Sequence, residues 1–271
     1  MKRIVALMLA LLLLCSLVAC SKDDETENGD DFDIAVTSSG LYYNAGGNYG
    51  DRYEYEVING DEIAIIGFEA SYIPHEIVLP NTIEDRPVVK IADGAFRAAS
   101  NITAVTIPTG VREIGAMAFA GCEQLVKVTV QGTAITTIGA FAFSGCTALC
   151  DMISTTTVAE AGMAHVALPE ALTAIAEGAF YKCSAMEAVI IPASVKSVGD
   201  LAFMGCVKLQ GAVGMEGVTT IGDYAFCGNT VMQHMPFGAA LTNVGSYAFS
   251  ACPALTVRPA ASVVCGENAF E

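Results

Sequence analysis

One dipeptide organises this chain. Ala-Phe ends at Phe96, Phe119, Phe143, Phe180, Phe203, Phe226, Phe249 and Phe270, at intervals of 23, 24, 37, 23, 23, 23 and 21 residues. The long interval is a regular one of 23 with 14 residues added. Eight of the twelve Phe therefore share one structural position. Three residues beyond the Phe stand Cys122, Cys146, Cys183, Cys206 and Cys252, with Ala99 and Asn229 at the same place in two further copies. Six beyond it stand Ile102, Leu125, Leu149, Met186, Leu209, Met232 and Leu255, every one apolar. Such a unit is too small to enclose a core alone. Stacked copies can, burying identical side chains as ladders, so the pattern predicts a solenoid.

The clearest unit runs from Pro108 to Val130. Within it Leu125, Val128 and Val130 have the L-x-x-L-x-L spacing of a short strand facing a core. Proline, as at Pro108, Pro169 and Pro192, ends each strand because it cannot donate to the ladder. Gly115 and its equivalents Gly139, Gly199, Gly222 and Gly245 read as tight turns. The A-F-x-x-C stretch is short for an ordinary helix and predicts a 3-10 or single helical turn with its Phe pointing inward.

This unit resembles the BspA-like, Treponema-type leucine-rich repeat family, whose signature is I-P-x-x-V-x-x-I-G-x-x-A-F-x-x-C-x-x-L. The match covers roughly residues 79–271. It implies a leucine-rich repeat solenoid of the α/β type with about eight coils, mostly short parallel strands with 3-10 or single-turn helices. Residues 51–78 resemble that family's amino-terminal β-hairpin cap: Tyr53, Tyr55 and Val57 alternate, then Asn59-Gly60 turns the chain into Ile63-Ala64-Ile65. Glu84-Asp85-Arg86-Pro87-Val88 stands where the family has an Asp/Gly-Lys-Pro-Val turn. The fourteen extra residues, around Ser154–Ala167, predict a bulging loop, with an extra stacked strand as the alternative, since Leu149-x-x-Met152 and Met163-x-x-Val166 could each supply the strand.

The amino terminus reads as an address. Lys2 and Arg3 precede an apolar run from Ile4 to Ala19 that is too short to span a bilayer comfortably. Leu17-Val18-Ala19-Cys20 resembles a bacterial lipobox, which implies a signal peptide over 1–19, cleavage before Cys20 and acylation there. Residues 20–33 hold seven acids and one Lys, the composition of a solvated tether, and the stretch to residue 50 continues as linker. Lys22 followed by acids resembles the export signal of Bacteroidetes surface lipoproteins, implying an outer-membrane, surface-exposed protein held by its lipid anchor alone.

The remaining chemistry is sparse. A net charge of -16 disfavours a grip on nucleic acid. One Cys per repeat, with no C-x₂-C pair, reads as buried free thiols rather than a disulfide framework or zinc site; Cys150, Cys227 and Cys265 lie off that column. His75, His165 and His234 have no ligand spacing, so no metal, cofactor or catalytic constellation is expected. Six of nine Tyr fall between Tyr42 and Tyr72, where packing in the cap is the simpler reading; Tyr42, Tyr43 and Tyr49 are the better candidates for an aromatic binding face.

The x positions of L-x-x-L-x-L project away from the core. They name a candidate binding face of Thr106, Lys127, Thr129, Asp151, Ile153, Ile190, Val213 and His234, together with Thr103, Ala104, Val126, Glu187, Ala188, Gln210, Gly211 and Gln233. Ile153, Ile190 and Val213 fall in one column, an apolar stripe. The family resemblance implies a non-enzymatic surface lipoprotein that adheres to host matrix proteins or to other cells. The alternative is an accessory lipoprotein capturing a glycan or peptide through the Tyr-rich cap. The weakest reading is a hydrolase with its site in the insertion.

Overall fold

A chain whose apolar positions recur every 23 residues satisfies its backbone by pairing each copy with the next, and that is what its strands do. The computed structural model describes residues 39–44, 51–68, 75–154 and 165–271. The predicted signal peptide, Cys20, the acidic stretch, Tyr49 and residues 155–164 of the insertion lie outside the described residues.

The cap consists of β1 (Ser39–Asn44), β2 (Asp51–Ile58) and β3 (Glu62–Phe68), antiparallel in that order. Asn59 and Gly60 take φ of 51° and 90° in the predicted hairpin turn. β1 sets Tyr42 and Tyr43 opposite Tyr53 and Arg52, so a strand stands in a stretch expected to be linker; Leu-Tyr-Tyr has the strand propensity to extend the free edge of β2. Tyr53 is fully buried, meets Phe68 edge-on at 5.2 Å and donates to Val78 O at 2.9 Å. Tyr55 donates to Glu84 at 2.9 Å. Then come β4 (Glu76–Val78), β5 (Thr82–Ile83) and β6 (Arg86–Ile91), the last two an antiparallel hairpin whose loop residues Glu84 and Asp85 both have positive φ, 50° and 62°. β3 pairs parallel with β6, joining cap to solenoid.

From there the strands fall on two sides of each coil, alternating except at β11–β12 and β17–β19: β7 (Ala104–Ile107), β8 (Glu113–Ile114), β9 (Lys127–Val130), β10 (Thr137–Ile138), β11 (Asp151–Ser154), β12 (His165–Ala167), β13 (Ala174–Ile175), β14 (Ala188–Ile190), β15 (Ser197–Val198), β16 (Gly211–Val213), β17 (Thr220–Ile221), β18 (Asn243–Val244) and β19 (Val264–Cys265). One side is a continuous parallel sheet, β4-β7-β9-β11-β12-β14-β16, prolonged by a bridge from Gly211 to His234. The other side is two ladders, β6-β8-β10 and β13-β15-β17-β18-β19, with β10 and β13 unpaired to each other.

Between the sides runs the Phe segment, and here the expectation of a helical turn is corrected. Alternate amides bond within the coil, as Ala120 N to Met117 O and Cys122 N to Phe119 O, while the others bond to the next coil, as Met117 N to Ala140 O and Phe119 N to Ala142 O. Two left-handed residues per segment, such as Met117 (φ 54°) and Gly121 (φ 75°), turn the donors outward to make this possible. The segment is a string of linked β-turns. The one 3-10 helix among the described residues is Met215–Gly217, elsewhere in the coil. Inward, Phe96, Phe119, Phe143, Phe180, Phe203, Phe226, Phe249 and Phe270 stack at 5.1–5.5 Å and within 4–13° of parallel. The Arg258 guanidinium lies over the Phe270 ring, 4.7 Å from its centroid.

The conserved spacing of Gly115, Gly139, Gly199, Gly222 and Gly245 has a different cause from the turn expected. None has a left-handed φ. Each lies against the backbone of the preceding coil: a Cβ on Gly139 would stand 2.5 Å from Ala116 N, and one on Gly245 2.5 Å from Asp223 N. Close stacking excludes the side chain.

The insertion supplies a strand. β12 stacks parallel on β11, with Met152 beside Val166, and on β14, so the sheet gains a rung where a bulging loop was expected. The Phe ladder gains none, since Phe143 and Phe180 stack at 5.5 Å. The coils therefore part on the second side, between β10 and β13. At that break the glycine column holds Ala176, and the Phe141 ring occupies the space above Gly178, where a Cβ would overlap it.

Candidate binding face

Because parallel strands in register repeat their side-chain direction, the continuous sheet presents columns. Inward stand Ile77, Val105, Val128, Met152, Val166, Val189 and Ala212, all buried. Outward, one column runs Glu76, Ala104, Lys127, Asp151, His165, Ala188, Gly211 and His234. The second runs Val78, Thr106, Thr129, Ile153, Ala167, Ile190 and Val213.

All eight residues singled out from the sequence lie in these two columns. Lys127 and Asp151 pair across adjacent strands at 3.6 Å. Ile153, Ile190 and Val213 do share a column, Val213 being 52% exposed, but Ala167 of the inserted strand stands between the first two and is buried. Gly211, expected on the exposed face, is buried beneath His234, whose backbone leaves no room for a Cβ there. Four outward residues lie beyond the face that the sequence names: His165 and Ala167 belong to the insertion, on the strand that Met163-x-x-Val166 offers as the alternative to a loop, and Glu76 and Val78 precede the first Ala-Phe, within or at the end of the stretch that resembles the cap.

Beside the face, at its carboxy-terminal half, an open groove of about 320 Å³ is lined by Glu187, Val207, Lys208, Gln210, Val231 and Gln233. Val207 and Val231 are 45% and 41% exposed, so its floor is apolar.

Behind the face lies the thiol column. Cys122, Cys146, Cys183, Cys206 and Cys252 are free and buried, and each Sγ donates to the carbonyl of the Phe one coil back, at 3.1–3.2 Å. Burial pushes Cys122 and Cys206 up to about 12 and Cys252 to about 11, and holds Cys146 and Cys183 well above the usual thiol range. Cys150, Cys227 and Cys265 are also free, the last exposed. Among the described residues no three of His, Cys, Asp or Glu converge as metal ligands, and no helix is long and apolar enough to cross a membrane.

A family model described as the BspA type leucine rich repeat region, in six copies, matches residues 67–165 and 152–271. The chain is similar in structure to a leucine rich cell surface protein from Faecalibacterium prausnitzii, at 29% identity and a TM-score of 0.66, over 81% of this chain and 54% of the other. It thus spans about half of that relative's length. The T. pallidum leucine rich repeat protein shares the fold at 24% identity and a TM-score of 0.63, over 83% of this chain and 91% of the other. A leucine-rich repeat protein from Bacteroides ovatus does so at 24% identity and 0.56, over 87% and 61%. Comparison with curated proteins finds none that matches.

Proposed function

The chain belongs to the BspA-type leucine-rich repeat family, and from that premise we propose that it is a non-enzymatic cell-surface protein whose strand face binds a macromolecular partner. The observation that carries the reading is the outward column Ile153, Ile190 and Val213 on a sheet whose core is already complete behind it. Val213 in particular stands 52% exposed on that side, and exposed large apolar side chains mark a contact surface. The partner is a host matrix protein or a protein on another cell. Lipidation at Cys20 anchors the chain in the outer membrane with the solenoid outside, and nucleic acid is no ligand. Glycan or peptide capture by the cap is less well supported: Tyr53 and Tyr55 are buried with their hydroxyls engaged, leaving that reading to Tyr42, Tyr43 and Tyr49, whose side chains lie outside the described residues.

The test is the Ile190→Lys/Val213→Lys variant, probed against a panel of immobilised matrix proteins and a glycan array. Loss of protein binding with an unchanged melt is expected; unchanged binding removes the strand face from the reading. Metabolic labelling with palmitate tests the anchor, which the Cys20→Ala variant should lack. Protease shaving of intact cells should release the solenoid, and full protection would place it inside.

A further inference from the structure

Two tyrosines of adjacent coils stack on the outside of the solenoid. We propose that Tyr224 and Tyr247 are a site of oxidative modification: a diffusible one-electron oxidant couples the two phenols through one ring carbon each, and the dityrosine so formed staples the coil of β17 to the coil of β18. The strand face takes no part in it.

Both residues stand two positions before the Phe of their coil, Phe226 and Phe249. Register therefore brings ring over ring. The centroids are 4.9 Å apart and the planes within 8° of parallel, closer than any rung of the buried Phe ladder at 5.1–5.5 Å. The main chain fixes them there, Tyr224 N donating to Ser246 O at 3.0 Å and Tyr247 N to Glu267 O at 2.9 Å. Unlike the Phe rings, both are only half-buried, so a small oxidant reaches them. Elsewhere the column holds Gly94, Met117, Phe141, Gly178 and Leu201, none of them a phenol. Among the described side chains no other two tyrosines stack: Tyr53 and Tyr55 are buried with their hydroxyls engaged, and Lys182 Nζ lies over the Tyr181 ring, 5.1 Å from its centroid.

A phenol that gives up an electron gives up its proton with it, and Tyr247 has an acceptor in place. Its hydroxyl donates to Glu267 Oε1 at 3.4 Å, while Asn268 Nδ2 donates to its oxygen at 3.1 Å. The oxidant takes one electron from each ring; the Tyr247 proton passes to Glu267 and the Tyr224 proton to water. The two phenoxyl radicals, already stacked, join by one carbon–carbon bond between ortho carbons. The hydrogen on each of those carbons then moves to the phenol oxygen as the rings regain aromaticity. In balance the protein loses two hydrogens, as two electrons to the oxidant and two protons. The bond ties residues one repeat apart, and a covalent tie of this kind removes freedom from the unfolded chain.

Photo-oxidation of the folded chain with ruthenium tris(bipyridyl) and persulfate should give a fluorescent dityrosine within one chain. Chymotryptic peptides carrying Tyr224 and Tyr247 should then be joined, with a mass lower by two hydrogens. Tyr224→Phe and Tyr247→Phe, which remove only a hydroxyl, should each lose the product, while Tyr181→Phe keeps it. Unfolding in urea should remove the link, because register no longer holds the rings together. Glu267→Gln should slow coupling several-fold, and the linked parent should melt above the identically oxidised Tyr224→Phe variant. Cys227 follows Tyr224 by three residues and its thiol can return a hydrogen atom to the radical, so Cys227→Ser is oxidised in parallel. No link in either chain, an equal yield in urea, or links between chains alone overturns the site. Equal melts overturn the staple, and an unchanged rate in Glu267→Gln overturns the proton path.

Discussion

Each thiol of the ladder is an inter-coil donor as well as a filler of space, and the one rung that departs from the rule shows what the thiol contributes. Asn229 takes the Cys position between Cys206 and Cys252, is fully buried, and leaves both its side-chain Nδ2 and Oδ1 without a partner. Asn229→Cys should supply the missing donor to Phe203 O and remove an unpaired amide, a gain of about 1–3 kcal/mol seen as a higher denaturant midpoint. The same burial makes stability pH-dependent. The folded thiols ionise near 12 at Cys122 and Cys206, against 9.0 for the ordinary group. Below pH 9 both folded and unfolded chains hold the proton and stability is complete; above it the unfolded chain ionises first. Stability should therefore fall by about 1.4 kcal/mol per thiol per pH unit above 9. Urea midpoints at pH 8 and 10, compared with a Cys206→Ala variant of weaker dependence, check this. The Cys column was legible from its spacing; its hydrogen bond was not, because a donor direction needs the neighbouring coil.

At the scale of the element, the insertion and the glycine column explain one another. Deleting Ser154–Ala167 would restore Leu149-x-x-Met152-x-Leu168-Pro169, a regular strand signal. The deletion variant should fold, but closing the coils brings the Ala176 methyl against the backbone at Gly139, as the 2.5 Å approach at Gly139 itself indicates. Ala176→Gly should consequently stabilise the deletion variant, while in the parent, where β10 and β13 are unpaired, it should cost about 0.5–1 kcal/mol of backbone entropy. Equal effects in both backgrounds, read from melts, would sink this account. The β5–β6 hairpin gives a simpler case. Glu84 and Asp85 both occupy left-handed conformations there, so Asp85→Gly should raise stability by about 1 kcal/mol. A hairpin at Asn59-Gly60 was readable because that pair marks a turn; β1 was not, since Leu41-Tyr42-Tyr43 carries strand propensity without a turn signal, and the free edge of β2 that it joins is a tertiary feature.

In the whole molecule, stability is a sum over neighbouring coils, so damage should stay near its origin. Phe203→Ala removes a buried ring with two stacking partners and should cost roughly 3–5 kcal/mol. The missing pairing between β10 and β13 is the weakest joint on the second side, and the Phe226→Ala variant should reveal it. Hydrogen exchange should then show protection lost beyond residue 174 and kept over 53–138. Uniform loss along the chain would mean that the Phe ladder and continuous sheet carry cooperativity across the joint.

The repeat alone determined the solenoid, the inward Phe, Cys and Leu ladders and which strand positions face out, because stacking identical units turns local spacing directly into neighbours in space. What only the tertiary structure decided is where that translation fails. Whether fourteen extra residues loop out or add a rung depends on strand pairing with coils on either side. So does the reason for the glycines, set by a backbone one coil away. The face changed most: the added rung brought His165 and Ala167 into it. Outward side chains carry no packing constraint that a sequence pattern could report, so their arrangement became visible only once the rungs were counted.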